Sequence, residues 1–268
     1  MKKCIFNLNK SNIYFKNYKI DRPVIIFTGH SRSCRFIIQY IKKFTASIDA
    51  NVVLSLWDEK KDFIELLKKE LNPLYIDNEN FDIKLTDNIF GKKNLLDKIY
   101  KSALSTRGQV YKFCRSIEIL KELEKNFKMD FGFVIKSRLD LLILKPVIFS
   151  KNKNYIFFEN TFGDWGVDRS DRFFYSSKYK MYDFAGKLQT FSKKSFKNFK
   201  YVTHRYKVPI NEMLFKMCCD FYKIKTKPFF PFCYIWRHNK IPTYKTFFKI
   251  FFFTLKRLIK RKVLALQA

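Results

Sequence analysis

Three short apolar runs in the first half of this chain break off into polar side chains that could hold an anion or a sugar. Val24-Ile25-Ile26-Phe27 leads into Thr28-Gly29-His30-Ser31-Arg32, Leu54-Ser55-Leu56-Trp57 into Asp58-Glu59, and Phe133-Val134-Ile135-Lys136 into Ser137-Arg138-Leu139-Asp140. In the first, a glycine allows close backbone approach, and an imidazole, a hydroxyl and a guanidinium suit a phosphate or a ribose. The segment is neither a G-x-G-x-x-G fingerprint nor a P-loop, so Gly29 also reads as a simple turn residue. In the second, Trp57 could stack on a base while Asp58 accepts from a ring nitrogen or a sugar hydroxyl. A strand-end core tryptophan followed by a helix-capping aspartate is the other reading. In the third, a carboxylate at Asp140 can ligate a divalent cation that bridges a diphosphate. Arg138, two residues earlier on an extended chain, points to the same side and can take a phosphate oxygen directly. A structural Arg138–Asp140 pair across the strand junction is the alternative.

Further along, Gly163 to Arg172 gathers Asp164, Trp165, Asp168 and Asp171 into one polar segment. Loops over a sheet end commonly hold an acceptor and a general base, which makes Asp164, Trp165 and Asp168 candidate acceptor ligands and Asp171 a candidate base. Ordinary turn chemistry accounts for the same composition. Glu212, beside Pro209 at a helix start, is a candidate catalytic carboxylate, a sugar ligand, or a residue complementing the helix dipole.

These groups need a scaffold, and the apolar pattern supplies one. Continuous apolar runs at 24–27, 52–57 and 131–136 read as buried strands. A helical face carrying Phe36, Ile37, Tyr40, Ile41 and Phe44 links the first two, and Phe63, Leu66, Leu67 and Leu71 mark a second helix. Leu74 to Ile76 reads as a third strand, while residues 77–106 show no clear pattern. From Gly108 to Phe127 the residues Val110, Phe113, Cys114, Ile117, Leu120 and Leu123 form a buried stripe. Lys112, Arg115, Glu118, Lys121, Glu122 and Lys125 are assigned to the solvated side. Leu141–Leu144, Tyr155–Phe158 and Arg172–Tyr175 follow as strands, with helices at Ser177–Phe191 and from Pro209 onward. Alternating strands and helices predict an α/β fold with a mostly parallel central sheet. In such sheets ligands bind beyond the carboxyl ends of the strands, where the three polar clusters fall.

Composition bounds the partners. The 268 residues carry 54 Lys and Arg against 24 Asp and Glu, a formal charge of +30, and 19% are aromatic. A chain so rich in Phe and Tyr can bury enough surface to fold, and its excess charge points to anionic partners or to a solvated basic surface. Six cysteines show no C-x-x-C spacing and no paired histidines. This predicts a reduced, cytoplasmic protein without a zinc site. The polar stretch after Met1 to Phe6 does not read as a secretory signal. From Tyr244 onward, Phe, Leu and Ile alternate with Lys245, Lys249, Lys256, Arg257, Lys260, Arg261 and Lys262. Too short of uncharged residues to span a bilayer, this tail reads as a basic amphipathic C-terminal helix on an anionic membrane surface, or as a helix packed on the domain.

In order, Ile26 to Arg32, Leu54 to Glu59, Arg107 to Lys112, Ile135 to Asp140 and Ser170 to Tyr175 resemble the WavE-type lipopolysaccharide-synthesis glycosyltransferases and related capsular polysaccharide enzymes, over residues 22–220. The resemblance implies a bacterial enzyme of GT-A-like fold that moves a sugar from a nucleotide-diphosphate donor to a glycan or lipid-linked glycan acceptor. The chain is then expected to divide into a nucleotide-sugar-binding half at 22–145 and an acceptor-binding half at 146–240, followed by the membrane-associating tail at 241–268 read from its own pattern, peripheral on the inner face of the cytoplasmic membrane. The resemblance also implies that Arg107, Gln109 and Lys112 line the donor pocket with Gly29, His30, Ser31, Arg32, Trp57, Asp58, Arg138 and Asp140. Asp140 would carry Mn²⁺ or Mg²⁺, and Asp171 or Glu212 would serve the acceptor hydroxyl. Arg138 stands where a D-x-D motif has its first acid. The alternatives are a basic nucleic-acid-binding protein without catalytic activity, against which no recognisable nucleic-acid module is present, and a transferase fold that only scaffolds an assembly.

Overall fold

A computed structural model describes residues 8–31, 33–90, 101–143, 147–159, 170–195, 210–229, 233–235, 240–245, 248 and 252. Strands β1 (Val24–Gly29) and β2 (Asn51–Trp57) are buried along their whole length. Their unbroken apolar runs are what a strand covered on both faces requires. Between them lies helix α1 (Ile38–Ser47), which turns Ile38, Ile41 and Phe44 inward. Helix α2 (Lys61–Leu71) buries Phe63, Leu67 and Leu71 at i, i+4 and i+8, and ends on Asn72 in the left-handed conformation. Strand β3 (Tyr75–Glu79) follows, then a short helix α3 (Asp87–Phe90) and the long helix α4 (Lys101–Phe127).

The second half supplies β4 (Phe133–Ser137), β5 (Leu141–Ile143), β6 (Ile156–Glu159), β7 (Phe173–Ser177), helix α5 (Lys178–Ser195), helix α6 (Ile210–Phe221), β8 (Thr226–Phe229) and β9 (Cys233–Ile235). The central sheet has the order β3-β2-β1-β4-β7-β6-β8. Only β7 runs against its neighbours, so the sheet is mostly parallel, as the sequence pattern predicts. The run at Leu141 does form a strand, but β5 leaves the central sheet and pairs with β9 in a separate two-stranded sheet.

Side chains alternate across the sheet into two cores. On one face Ile26, Val53, Val134, Phe158 and Phe174 pack under α4, α5 and α6. There Phe113, Phe158, Phe174, Phe184 and Phe215 form a ring cluster with centroids 5.1 to 6.4 Å apart. On the other face Ile25, Phe27, Leu54, Ile135 and Tyr175 pack under α1, α2 and β5.

Helix α4 corrects one expectation. Lys112 has no exposed side-chain surface and Arg115 keeps 15%, so neither is on a solvated side. Both cations meet Asp77 and Glu79 of β3: Lys112 reaches them at 3.0 and 2.8 Å, and Arg115 at 2.9 and 3.1 Å. Burial works to raise the Asp77 carboxyl, yet the Arg115 and Lys112 cations overcome it and hold the group below the ordinary range. A helix stripe that looks polar in sequence is buried because the neighbouring strand end offers opposite charge.

Candidate functional site

The site is built from strand ends. Register pairs Gly29 with Leu56 across β1 and β2, and Phe27 with Ser137 across β1 and β4. Asp58 and Arg138 therefore project just beyond the same edge of three adjacent strands, each separated from the next by about 5 Å. Because β7 is antiparallel, its beginning lies at this edge too. Asp171 and Arg172 sit there beside Glu159 at the end of β6. The chain order reverses between β1 and β4, since β2 and β3 extend the sheet to one side and β4 to the other. Such a switch point opens a crevice beyond the carboxyl ends.

At the β1 end Gly29 has φ +97°, a conformation that side chains rarely adopt, and a Cβ there would meet nothing within 4 Å. His30 is exposed. Ser31 is buried, and its donors are already engaged: its N–H and Oγ–H both reach Glu59 at 2.6 Å. A phosphate would have to displace that carboxylate to use them. Arg32 lies outside the described residues. Next to Ser31, a pocket of about 380 Å³ is lined by Arg35, Phe36, Asp58, Glu59, Lys60 and Phe63. Two aromatic walls with carboxylates and cations at the rim suit a flat ring bearing polar edges.

Trp57 does not stack on a base. It is 2% exposed, lies flat on Tyr111 at 5.4 Å, meets the edge of Phe81 at 5.2 Å and carries the Lys112 ammonium 4.1 Å above its ring. Gly108 makes that packing possible, because a Cβ at this position would lie 3.2 Å from Phe81 and 3.5 Å from the Trp57 indole nitrogen. Asp58 caps no helix; its Oδ1 accepts the Phe81 N–H at 2.9 Å while the residue stays exposed at the pocket.

The resemblance-based donor residues of α4 are corrected likewise. Arg107 is wholly buried and donates to Thr86 and Asp87 at 3.1 and 3.2 Å. Lys112 is committed to β3 as described. Neither presents surface to a ligand, and Gln109 is half-buried on the same helix.

At the β4 end Arg138 donates through Nε and Nη2 to the two oxygens of Asp140, at 2.8 and 2.7 Å. Its backbone N–H donates to the Arg172 carbonyl at 3.2 Å, tying β4 to the start of β7. Asp140 has no exposed side-chain surface, whereas Arg138 keeps 12%. The Arg138 cation is raised: burial works against its charge, and the Asp140 bond outweighs it. Cys34, just after β1, is buried. Burial pushes its thiol up, and the Asp140 and Glu59 charges push it further, so both carboxylates bear on one sulfur.

A second group of charges lies alongside, which the sequence reading passed over. Lys136 is fully buried and donates its ammonium proton to the Asp171 carbonyl. Burial pulls it down to about 8, against the opposing pull of Asp171, Asp140 and Glu159 and with Arg138 adding to the fall. Arg172 bridges Glu159 at 2.7 Å, and the Cys233 thiol donates to the same carboxylate at 3.0 Å. The signal was a lysine ending the apolar run Phe133 to Ile135 and a glutamate closing Ile156 to Phe158, each at the edge where ligands bind.

Asp171 is 2% exposed beside Lys136. Asp164, Trp165 and Asp168 lie outside the described residues, as does the Glu212 side chain. Among the described residues no group of three His, Cys, Asp or Glu gathers to hold a metal ion. Both Asp140 oxygens already face a guanidinium, so this donor set does not fit Mn²⁺ or Mg²⁺, which demand several oxygen ligands and repel a fixed cation.

Most of the tail also lies outside the described residues. Tyr244, Phe248 and Phe252 form an exposed row of rings, 6.3 and 6.4 Å apart. No described helix is long and apolar enough to cross a membrane.

No protein-family model matches the chain, and no curated protein sequence does. Solved structures do resemble it. A nucleotide-diphospho-sugar transferase from Desulfovibrio desulfuricans G20 aligns at 9% identity and TM-score 0.43, over 79% of this chain and 80% of its own. A glycosyltransferase involved in glycosylation of the major capsid of PBCV-1 aligns at 9% identity and TM-score 0.41, over 78% and 83%. The glycosyltransferase GlyE of Streptococcus pneumoniae TIGR4 aligns at 11% identity and TM-score 0.41, over 78% of this chain, which spans only 45% of GlyE.

Proposed function

We propose that this chain is a glycosyltransferase that takes a sugar from a nucleoside-diphosphate donor and passes it to a glycan acceptor of the lipopolysaccharide or capsular type. One observation supports the reading: Gly29 with free space beside its Cα, an aromatic and acidic pocket, and an arginine fork stand at the same edge of the adjacent strands β1, β2 and β4. The flat base and ribose fit the pocket between Phe36 and Phe63, with Asp58 and Glu59 accepting from ring or hydroxyl donors. The diphosphate then runs past Gly29, where no side chain intervenes, toward Arg138. The sugar lies in front of β4 and β7, where Asp171 is the carboxylate nearest to receive the acceptor proton. Lys136 holds the Asp171 backbone in place from behind.

The exposed rings of Tyr244, Phe248 and Phe252, interleaved with the cations of the tail, support attachment to an anionic membrane surface that carries a lipid-linked acceptor. The cytoplasmic face is the proposed location.

A thermal-shift panel tests the reading. At a hundred times its Kd a cognate nucleotide sugar stabilises the chain by about 2.7 kcal/mol, a rise of several degrees. A single stabilising donor is the expected result. Stabilisation by oligonucleotides alone, lost as salt rises, would instead mark a nucleic-acid-binding protein.

A further inference from the structure

A departing diphosphate needs a partner for the charge it gains, and the strand end that would house a cation already holds one built from the chain. Both oxygens of Asp140 face Arg138, and the carboxylate has no exposed surface. A divalent ion would need an Asp140 oxygen within roughly 2.0 to 2.6 Å while lying against the guanidinium. The Arg138 fork is held through Nε and Nη2 by Asp140, and the backbone that carries it is tied to Arg172. Its Nη1 makes no hydrogen bond to a described residue, and the side chain keeps its exposure at the crevice. Behind it Lys136, 2% exposed, adds a second buried cation. An arginine fork matches two phosphate oxygens in a plane, and a carboxylate holding the other edge sets its direction.

We propose that Arg138 replaces the divalent cation: its Nη1 edge receives the diphosphate of the donor, Asp140 orients it, and sugar transfer proceeds without a bound metal ion. This rests on the nucleotide-sugar reading above. In the overall transfer the acceptor oxygen bonds to the anomeric carbon, and the bond from that carbon to the terminal phosphate oxygen breaks. The electron pair stays on that oxygen, against Arg138, and the acceptor hydroxyl proton passes to the Asp171 carboxylate.

Calorimetry of the full chain with UDP, GDP, CDP and ADP decides it, each titrated in EDTA and again in Mn²⁺ or Mg²⁺ after the chelator is removed. One diphosphate should bind with a Kd that differs by less than about threefold between the two conditions. Arg138→Met should weaken it by about tenfold or more in both, with Arg138→Lys intermediate. Binding lost in EDTA and restored by Mn²⁺ overturns the proposal and leaves the transferase reading standing. Binding unchanged in a folded Arg138→Met also overturns it. No diphosphate bound in either condition overturns both. The wild-type comparison in chelator stands even where a variant fails to fold.

Discussion

Lys136 ends an apolar strand, and its ammonium is satisfied by one carbonyl and a ring of opposite charges. Its proton is lost at about pH 8 in the folded chain, well below the ordinary 10.5. The folded state gives up that proton first, so this group's contribution to stability grows as pH rises from about 8 to 10.5. In the proposed transfer its contribution runs the other way, because the positive charge behind Arg138 and the Asp171 backbone is lost as pH rises through about 8. Turnover should therefore fall above about pH 8, and Lys136→Met should flatten that limb while lowering the plateau. A pH profile of kcat in which the variant keeps the wild-type limb would remove Lys136 from the mechanism. Gly29 makes a simpler prediction. With open space around it, Gly29→Ala meets only the backbone penalty of φ +97°, and urea unfolding should show a loss of about 1 to 2 kcal/mol.

Helix α4 and strand β3 are joined by charge as much as by apolar contact. Asp77 accepts from Ser55, Lys112 and Arg115 at once, at a point where Lys112 has no route to water. Asp77→Asn leaves Glu79 alone to balance two buried cations and should cost about 3 to 5 kcal/mol in chemical denaturation, far more than an exposed pair would. A loss below 1 kcal/mol would mean that water reaches this network. The same elements show where sequence reading succeeds and where it stops. Strands β1, β2 and β4 were legible because a strand covered on both faces must be apolar throughout. The stripe Val110 to Leu123 was legible because a buried helix face repeats every three to four residues. Lys112 was misread because its burial depends on acids some 35 residues away, which local periodicity does not encode. Strands β8 and β9 were missed for a related reason. Thr226–Phe229 is a largely exposed edge with a proline, and Cys233–Ile235 is only three residues long. The candidates Gly29, Asp58, Arg138 and Asp140 come from their place after apolar runs. That Trp57, Arg107 and Ser31 point inward or are engaged by Glu59 follows only from three-dimensional packing.

Across the whole molecule, the formal charge of +30 acts at long range and the crevice at short range. If the basic tail meets a membrane, flotation with vesicles should show binding that rises with the fraction of anionic lipid and falls with salt, and removal of residues 241–268 should abolish it. Equal recovery with neutral and anionic vesicles would count against the membrane face. The strand order matters more than the charge for the central claim. Because the sheet reverses between β1 and β4, one ligand can touch the ends of β1, β2 and β4 together, although β1 and β4 end more than a hundred residues apart in the chain. Hydrogen–deuterium exchange of the full chain, with and without a saturating cognate nucleotide sugar, reads that directly. Protection at the segments around Gly29 to Ser31, Trp57 to Lys60 and Ser137 to Asp140, together with the pocket walls around Phe36 and Phe63 and the start of β7, is the predicted result. Protection elsewhere with these three strand ends unchanged would contradict a donor site at the switch point.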